Sequence, residues 1–184
     1  MKPSNIFILA VILVVLGGVY YWISRPEPQP PPEPQYYVWD IDMHDINHIT
    51  ISLPREGRSQ SFIKIAQGRE FPWFFDDPPR SPVDAERWGG GITLLLSGPG
   101  ADRVICENAT QEKLAEFGLL QPSLEIILTM EDYTTLNITA GDNTPDGKNY
   151  YIRAPGTNAV ATVVRDWYKV LERLVKEPPY APEN

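Results

Sequence analysis

The chain is 184 residues long, with 16 Lys+Arg against 24 Asp+Glu, a formal net charge of -8 and 42% apolar residues. That apolar content supports a packed core and excludes disorder throughout, and the single cysteine excludes an internal disulfide. The acidic balance speaks against nucleic acid as a partner. No catalytic signature stands out, so the residue pattern gives placement and build and does not give a reaction.

Residues 6–23 form an 18-residue run without a charged member, flanked by Lys2 and Arg25. A helix rises about 1.5 Å per residue, so the run is long enough for a hydrocarbon core of about 30 Å. Tyr20, Tyr21 and Trp22 close it as an interfacial aromatic belt would. A cleavable signal peptide has a shorter apolar core followed by a small-x-small site. Here the core passes straight into aromatic residues, which predicts an uncleaved single-pass anchor over residues 1–25. The only cysteine, Cys106, is too distant from the start to carry a lipid anchor there. Lys2 and Arg25 leave the positive-inside rule near balance. The short tail before the run is expected to stay in the cytoplasm, with the rest of the chain (14 Lys+Arg, 24 Asp+Glu) outside the cytoplasm.

Residues 26–35 hold six prolines in ten. Such a run cannot form a helix and adopts polyproline II at about 3.1 Å per residue, a reach of roughly 30 Å. It is expected to act as a stiff spacer holding the domain off the membrane. An SH3-type ligand is the weaker reading, because the run carries no basic residue to orient it.

From Tyr36 the pattern is that of an α+β domain running to residue 177, with residues 178–184 as a flexible tail. Ile49, Ile51 and Leu53 alternate with His48, Thr50 and Ser52 as a half-buried strand, and Pro54 to Gly57 makes a turn into a return strand over residues 62–66. Phe71, Trp73, Phe74 and Phe75 form a dense aromatic cluster. Trp73 reads as a core plug, with ligand stacking as the alternative. Ser81 and Pro82 can open a helix, but Gly89-Gly90-Gly91 costs about 1 kcal/mol per glycine in one. Residues 103–106 read as a short strand or turn segment, with Cys106 a buried small hydrophobe. Thr110 caps a short helix that buries Leu114 and Phe117 and ends at a left-handed Gly118. Three further stretches alternate as strands: Leu124 to Met130, Leu136 to Ala140, and Tyr150 to Ala154. Residues 141–147 form a long turn, and Ala159 to Val163 form the last strand. Val163, Trp167, Leu171, Leu174 and Val175 then fall at helical spacing, stopped by Pro178-Pro179. About six antiparallel strands with packed helices are expected.

Several of these stretches carry a family likeness. The run Leu114-Ala115-Glu116-Phe117-Gly118-Leu119 is followed by Pro122, by the strand from Leu124, and by Leu136-Asn137-Ile138. Gly141-Asp142-Asn143-Thr144-Pro145-Asp146-Gly147 and Tyr150-Tyr151-Ile152-Arg153 come next, with Trp73 and Val83-Asp84 upstream. In this the chain resembles membrane-anchored proteins that carry the DUF4340 domain of unknown function, over about residues 40–176. The resemblance implies one helix over residues 82–97 despite the glycines. It supplies no catalytic residues. It implies a partner role beside transporter components of the kind linked to gliding motility.

The candidate sites have bland readings beside the sharp ones. Asp40, Asp42, His44, Asp45 and His48 are the densest ligand-capable group. Two imidazoles and a carboxylate suit a divalent ion, but His48 lies where strand alternation begins, and a solvated approach to the sheet is expected. Asp142, Asn143 and Asp146 invite calcium, yet the spacing, central glycine and closing glutamate of a calcium loop are missing. Turn-backbone hydrogen bonding is expected of them instead. Asn108 and Asn137 each open an acceptor pattern for glycosylation, which the resemblance to bacterial chains makes idle. Two histidines near residue 46 give no Ser-His-Asp set, Gly89-Gly90-Gly91 lacks the Lys-Ser/Thr of a phosphate loop, and Glu125 and Glu131 are too far apart to share a proton. No catalytic, cofactor-binding or metal-binding residue is assigned. A membrane-anchored binding or scaffold domain, partnered by an envelope or membrane protein complex, is expected. An envelope hydrolase built on carboxylates and a small-ligand carrier using the Phe71 to Phe75 cluster are the alternatives.

Overall fold

The computed structural model describes residues 3–23, 36–68, 70, 72–88 and 91–182, with side chains of the N-terminal helix described for residues 12–22. Two compact units divide the chain, Met1–Pro34 and Gln35–Asn184. The first contains helix α1, Pro3–Ile23. Among the described residues no helix is long and apolar enough to cross a membrane. The proline-rich run of residues 26–35 lies outside the described residues.

The second unit is α+β, built among the described residues on one antiparallel sheet of eight strands. They are β1 (Ile46–Leu53), β2 (Arg58–Lys64), β3 (Trp73–Phe75), β4 (Arg103–Cys106), β5 (Leu124–Met130), β6 (Thr135–Asn143), β7 (Asn149–Arg153) and β8 (Val160–Val164). Their order across the sheet is β3-β2-β1-β5-β6-β7-β8-β4. The helices of this unit are α2 (Ala85–Trp88), α3 (Ile92–Ser97), α4 (Gln111–Glu116) and α5 (Arg165–Lys176).

The period-2 pattern sorts the two faces, because successive side chains point to opposite sides. In β5, Leu124, Ile126, Leu128 and Met130 are buried, while Glu125, Ile127 and Thr129 are half-buried on the other face. The register aligns this buried row with Ile49 and Ile51 of β1 and with Ile138 and Ala140 of β6. Helix α5 packs on that face against β1, β2, β7 and β8. It buries Trp167, Tyr168, Leu171, Leu174 and Val175, at about 1.5–3 kcal/mol for each large side chain removed from water. Trp88, Ile92 and Leu96 from α2 and α3 complete the same core. Helix α4 covers part of the opposite face, where Leu114 and Leu119 join Val160 in a small second cluster with Phe117, Tyr151 and Cys106 at its rim.

Two tryptophans fix α3 to the core through its C-terminal end. The last carbonyls of a helix have no partner inside it. Trp39 Nε1 donates to the Leu96 carbonyl at 2.9 Å and Trp167 Nε1 donates to the Leu95 carbonyl at 3.0 Å. The two indoles meet edge to face, with ring centroids 6.0 Å apart.

Several expectations are corrected. Among the described residues there are eight strands where about six were expected, because Trp73–Phe75, read as an aromatic plug, pairs with β2 as β3, and Arg103–Cys106, read as a strand or turn segment, pairs with β8 as β4. Residues 82–97 are two short helices instead of one. Pro82 and Val83 are extended and bridge Phe74 and Tyr180. Asp84, and not Ser81, caps α2, accepting from the backbone N–H of Glu86 and Arg87. Between the two helices, Gly89 and Gly90 lie outside the described residues. The turn expected over residues 141–147 is shorter, since β6 continues to Asn143. Residues 178–182 are docked where a loose tail was expected. Tyr180 stacks on Phe75 with centroids 3.9 Å apart, the Asp84 N–H donates to the Pro179 carbonyl, and the Ala181 N–H donates to the Pro82 carbonyl. Residues 183–184 of that tail lie outside the described residues.

Candidate functional site

Two surfaces of the second unit offer chemistry: the polar face of the sheet and an apolar cleft at the start of α5. Register brings the polar residues of the first surface into rows. Ser61, Thr50, Ile127 and Asn137 lie side by side across β2, β1, β5 and β6. Ser52, Glu125, Thr139 and Arg153 make the next row, across β1, β5, β6 and β7. Thr50 and Ser61 share a hydrogen bond of 3.0 Å, and Asn137 Nδ2 donates to Glu125 Oε1 at 2.9 Å. Thr139 is the exception. Its hydroxyl is buried and, among the described residues, has no hydrogen-bond partner.

The cleft has a volume of about 470 Å³ and is lined by Leu94 and Leu95 of α3, the Gly98-Pro99-Gly100 turn, Val163 and Val164, and Asp166, Trp167 and Val170 of α5. Trp167 and Leu95 are locked together in its lining by the indole bond described above. Leu94 is 63% exposed and Val164 52% exposed. Among the described residues, Asp166 is the one charged residue in that lining. The glycine at 98 is required by packing, because a Cβ there would stand 2.3 Å from the Trp39 carbonyl oxygen.

A third construction is structural and was not foreseen. Arg55, in the 3-10 turn Pro54–Glu56, donates from Nε to the Gln121 carbonyl at 2.8 Å and from Nη1 to Asp142 Oδ1 at 2.6 Å. Its Nη2 donates to the Gly118 carbonyl at 3.3 Å. The Asp142 N–H donates to the Phe117 carbonyl. A Cβ at Gly141 would stand 2.0 Å from that same carbonyl oxygen, and Gly118 holds φ +70°. Only residues without a side chain allow α4 and β6 to approach this closely. The Phe117-Gly118-Leu119 and Gly141-Asp142 stretches singled out in the sequence therefore meet in space as one joint.

The sequence-predicted ligand groups do not converge. His44 Nδ1 pairs with Asp42 at 2.9 Å on an exposed turn, and His48 Nε2 pairs with Asp76 at 2.9 Å. The backbone N–H and imidazole of His44 hold the Asp42 carboxyl below its ordinary value. Burial of His48 lowers its pKa, helped by the Arg80 guanidinium. Arg80 also pairs with Asp76, so that carboxylate is shared between the guanidinium and the imidazole. Among the described residues no group of three or more His, Cys, Asp or Glu side chains is gathered. Of the calcium candidates, Asp142 goes to Arg55, Asn143 pairs with Tyr150 in the sheet, and Asp146 accepts from Thr144 and from the Lys148 N–H. Glu125 meets Asn137 and Glu131 meets Lys64. Cys106 is free and half-buried against the second cluster. Asn137 is engaged by Glu125, and the Thr110 hydroxyl caps α4 by accepting from the Lys113 N–H. In the aromatic cluster Phe75 is fully buried, Trp73 is half-buried against the core, Phe74 is half-buried, and Phe71 lies outside the described residues.

Residues 73–168, more than half of the chain, match the domain of unknown function DUF4340. The chain belongs to the DUF4340 family. The match begins at β3, so β1 and β2 precede it, and it is narrower than the residues 40–176 that the sequence likeness suggested. The DUF4340 match takes in the whole described lining of the cleft except Val170. No curated protein and no solved structure matches the chain.

Proposed function

We propose that this DUF4340 chain is a membrane-anchored binding or scaffold protein, with a single pass through residues 6–23 and its domain outside the cytoplasm. Its domain docks to an envelope or membrane protein complex of the transporter-associated kind. The observation that carries the docking role is the polar face of the sheet, where Thr50, Ser52, Ser61, Glu125, Asn137 and Arg153 present polar and charged side chains on a fixed backbone lattice. Interfaces between folded partners draw much of their specificity from such groups, and a surface that is already ordered loses little entropy on binding. The 18 apolar residues of the N-terminal run support the anchor. Anchoring confines the domain near membrane partners and raises its effective concentration there.

The test is cross-linking in intact cells followed by gentle solubilisation and affinity capture of the full chain. Recovery of one membrane complex at fixed stoichiometry, weakened by Asn137→Arg on the polar face, supports the reading. Recovery of the chain alone with and without cross-linker sinks it.

A further inference from the structure

We infer that β4 is a dimerisation edge, along which two copies of the chain join antiparallel across a two-fold axis at Ile105. The pairing needs neither the anchor nor the docking partner proposed above.

The two edges of the sheet are finished differently. β3 lies at one edge and β4 at the other. Beyond β3, residues 81–83 take up outward backbone groups: the Phe75 N–H donates to the Ser81 carbonyl, and the Val83 N–H donates to the Trp73 carbonyl. Phe74 also bridges Pro82. Nothing comparable covers β4. Among the described residues, every backbone partner of Arg103–Cys106 belongs to β8. An uncovered edge offers its outward N–H and C=O groups to another strand. The side chains are open too, with Val104 50% and Ile105 37% exposed. Lysine and proline commonly guard such edges, and residues 101–108 contain neither. The register shift between Val104 and Cys106 leaves Ile105 unmatched in β8. A bulge of this kind discourages indiscriminate pairing, so an occupant has to match this edge closely.

Charge decides which occupant does. Arg103 opens β4 and Glu107 directly follows it, and both are exposed. Among the described residues, neither side chain makes a hydrogen bond or an ion pair. Antiparallel pairing about Ile105 sets Arg103 opposite Glu107 of the second copy, and Glu107 opposite its Arg103. Opposite charges facing each other stabilise an antiparallel pair, and like charges destabilise it. Moving the axis to a point between Val104 and Ile105 sets Asp102 against Glu107, which repel. Centring it on Val104 or on Cys106 leaves Arg103 with no carboxylate opposite. Of the axes that fall within β4, the one at Ile105 alone brings opposite charges face to face. The edge is thus complementary to itself in a single register, and its occupant is a second copy of this chain. Such a contact is isologous. It closes as a dimer, because β3 is covered and offers no further edge for growth. A strand of four residues makes a small interface, so the dimer is weak and forms at high local concentration.

The experiment uses the full chain in mild detergent, with Cys106→Ala as background. Ile105→Cys and Tyr133→Cys are each treated with a short thiol-to-thiol cross-linker. Tyr133 is 85% exposed in the β5–β6 turn and reports chance collision. The expected result is covalent dimer from Ile105→Cys at several times the yield from Tyr133→Cys, rising with protein concentration. Adding Arg103→Glu or Glu107→Arg to Ile105→Cys sets like charges opposite each other on both sides of the axis. Each change is expected to lower the excess yield about fivefold or more. Mixing the two charge variants restores opposite charges across the axis and is expected to restore the yield. Equal yields from residues 105 and 133 overturn the inference. An excess at 105 that survives both charge changes, or that mixing does not restore, overturns it as well, because the pairing would then not run through Arg103 and Glu107.

Discussion

Replacing Trp167 with alanine tests the packing of α5 on the sheet. The side chain is 4% exposed, packs edge to face on Trp39, and donates its indole N–H to the Leu95 carbonyl at 3.0 Å. Removing a buried Trp side chain typically costs about 3–5 kcal/mol. The lost hydrogen bond leaves a helix-terminal carbonyl beside a cleft that water can enter, so its share stays near the low end of about 1–3 kcal/mol. Trp167→Phe helps to separate the two contributions, since it keeps a ring in place while it removes the donor and only part of the buried ring system. We expect a loss of about 3–5 kcal/mol for Trp167→Ala and about 1–2 kcal/mol for Trp167→Phe. For a domain of this size the first corresponds to a fall in Tm of roughly 6–20 °C. Urea titration of residues 35–184, followed by far-ultraviolet circular dichroism, gives both values. A loss below about 1 kcal/mol for Trp167→Ala would show that this helix face is not core.

Two other outcomes follow from the geometry. Gly141→Ala forces a Cβ against the Phe117 carbonyl oxygen and is expected to lower stability by on the order of 3 kcal/mol or more. Gly100→Ala, with open space around the new methyl group, is expected to be neutral or to gain up to about 1 kcal/mol; equal losses for the two would refute the close approach of α4 and β6. The Thr134 and Thr144 hydroxyls hold the carboxyls of Asp132 and Asp146 below their ordinary value. Folded-state values below the unfolded ones add stability that is present above about pH 4 and lost as pH falls through the folded values. The Asp132→Asn, Asp146→Asn variant should therefore be less stable than the parent at neutral pH and match it in strong acid. A difference independent of pH would contradict this.

The parts of the fold that could be read from the chain were those whose signal is local. Leu124 to Met130 alternates in sequence and alternates in burial in the sheet. Thr110 and Gly118 start and stop α4 with residues whose preferences are set by the backbone. Elements held by distant partners could not be read in this way. Trp73–Phe75 has too few residues to show a period, and it becomes a strand only because β2 lies beside it. Pro178 to Ala181 have the composition of a tail, and are fixed by Phe75 and by residues 82–84, about a hundred positions earlier. Asp142 looked like a turn residue because nothing near it in sequence shows Arg55, its partner across 87 positions. The polar sheet face was legible as alternation of Thr and Asn. The cleft was not, because it joins Leu94 to Val164 and requires α3 to end against Trp39 and Trp167.

Site-directed photo-cross-linking of the full chain in intact cells tests the docking claim most directly. A photoreactive residue is placed at Thr50, Ser52 or Asn137 on the polar face, and at Lys169 on the exposed side of α5 as a control. The expected result is one adduct of constant mass from the three sheet positions and none from the control, with loss of the adduct when residues 1–25 are deleted. Adducts of equal yield from Lys169, or adducts that persist without residues 1–25, would contradict it.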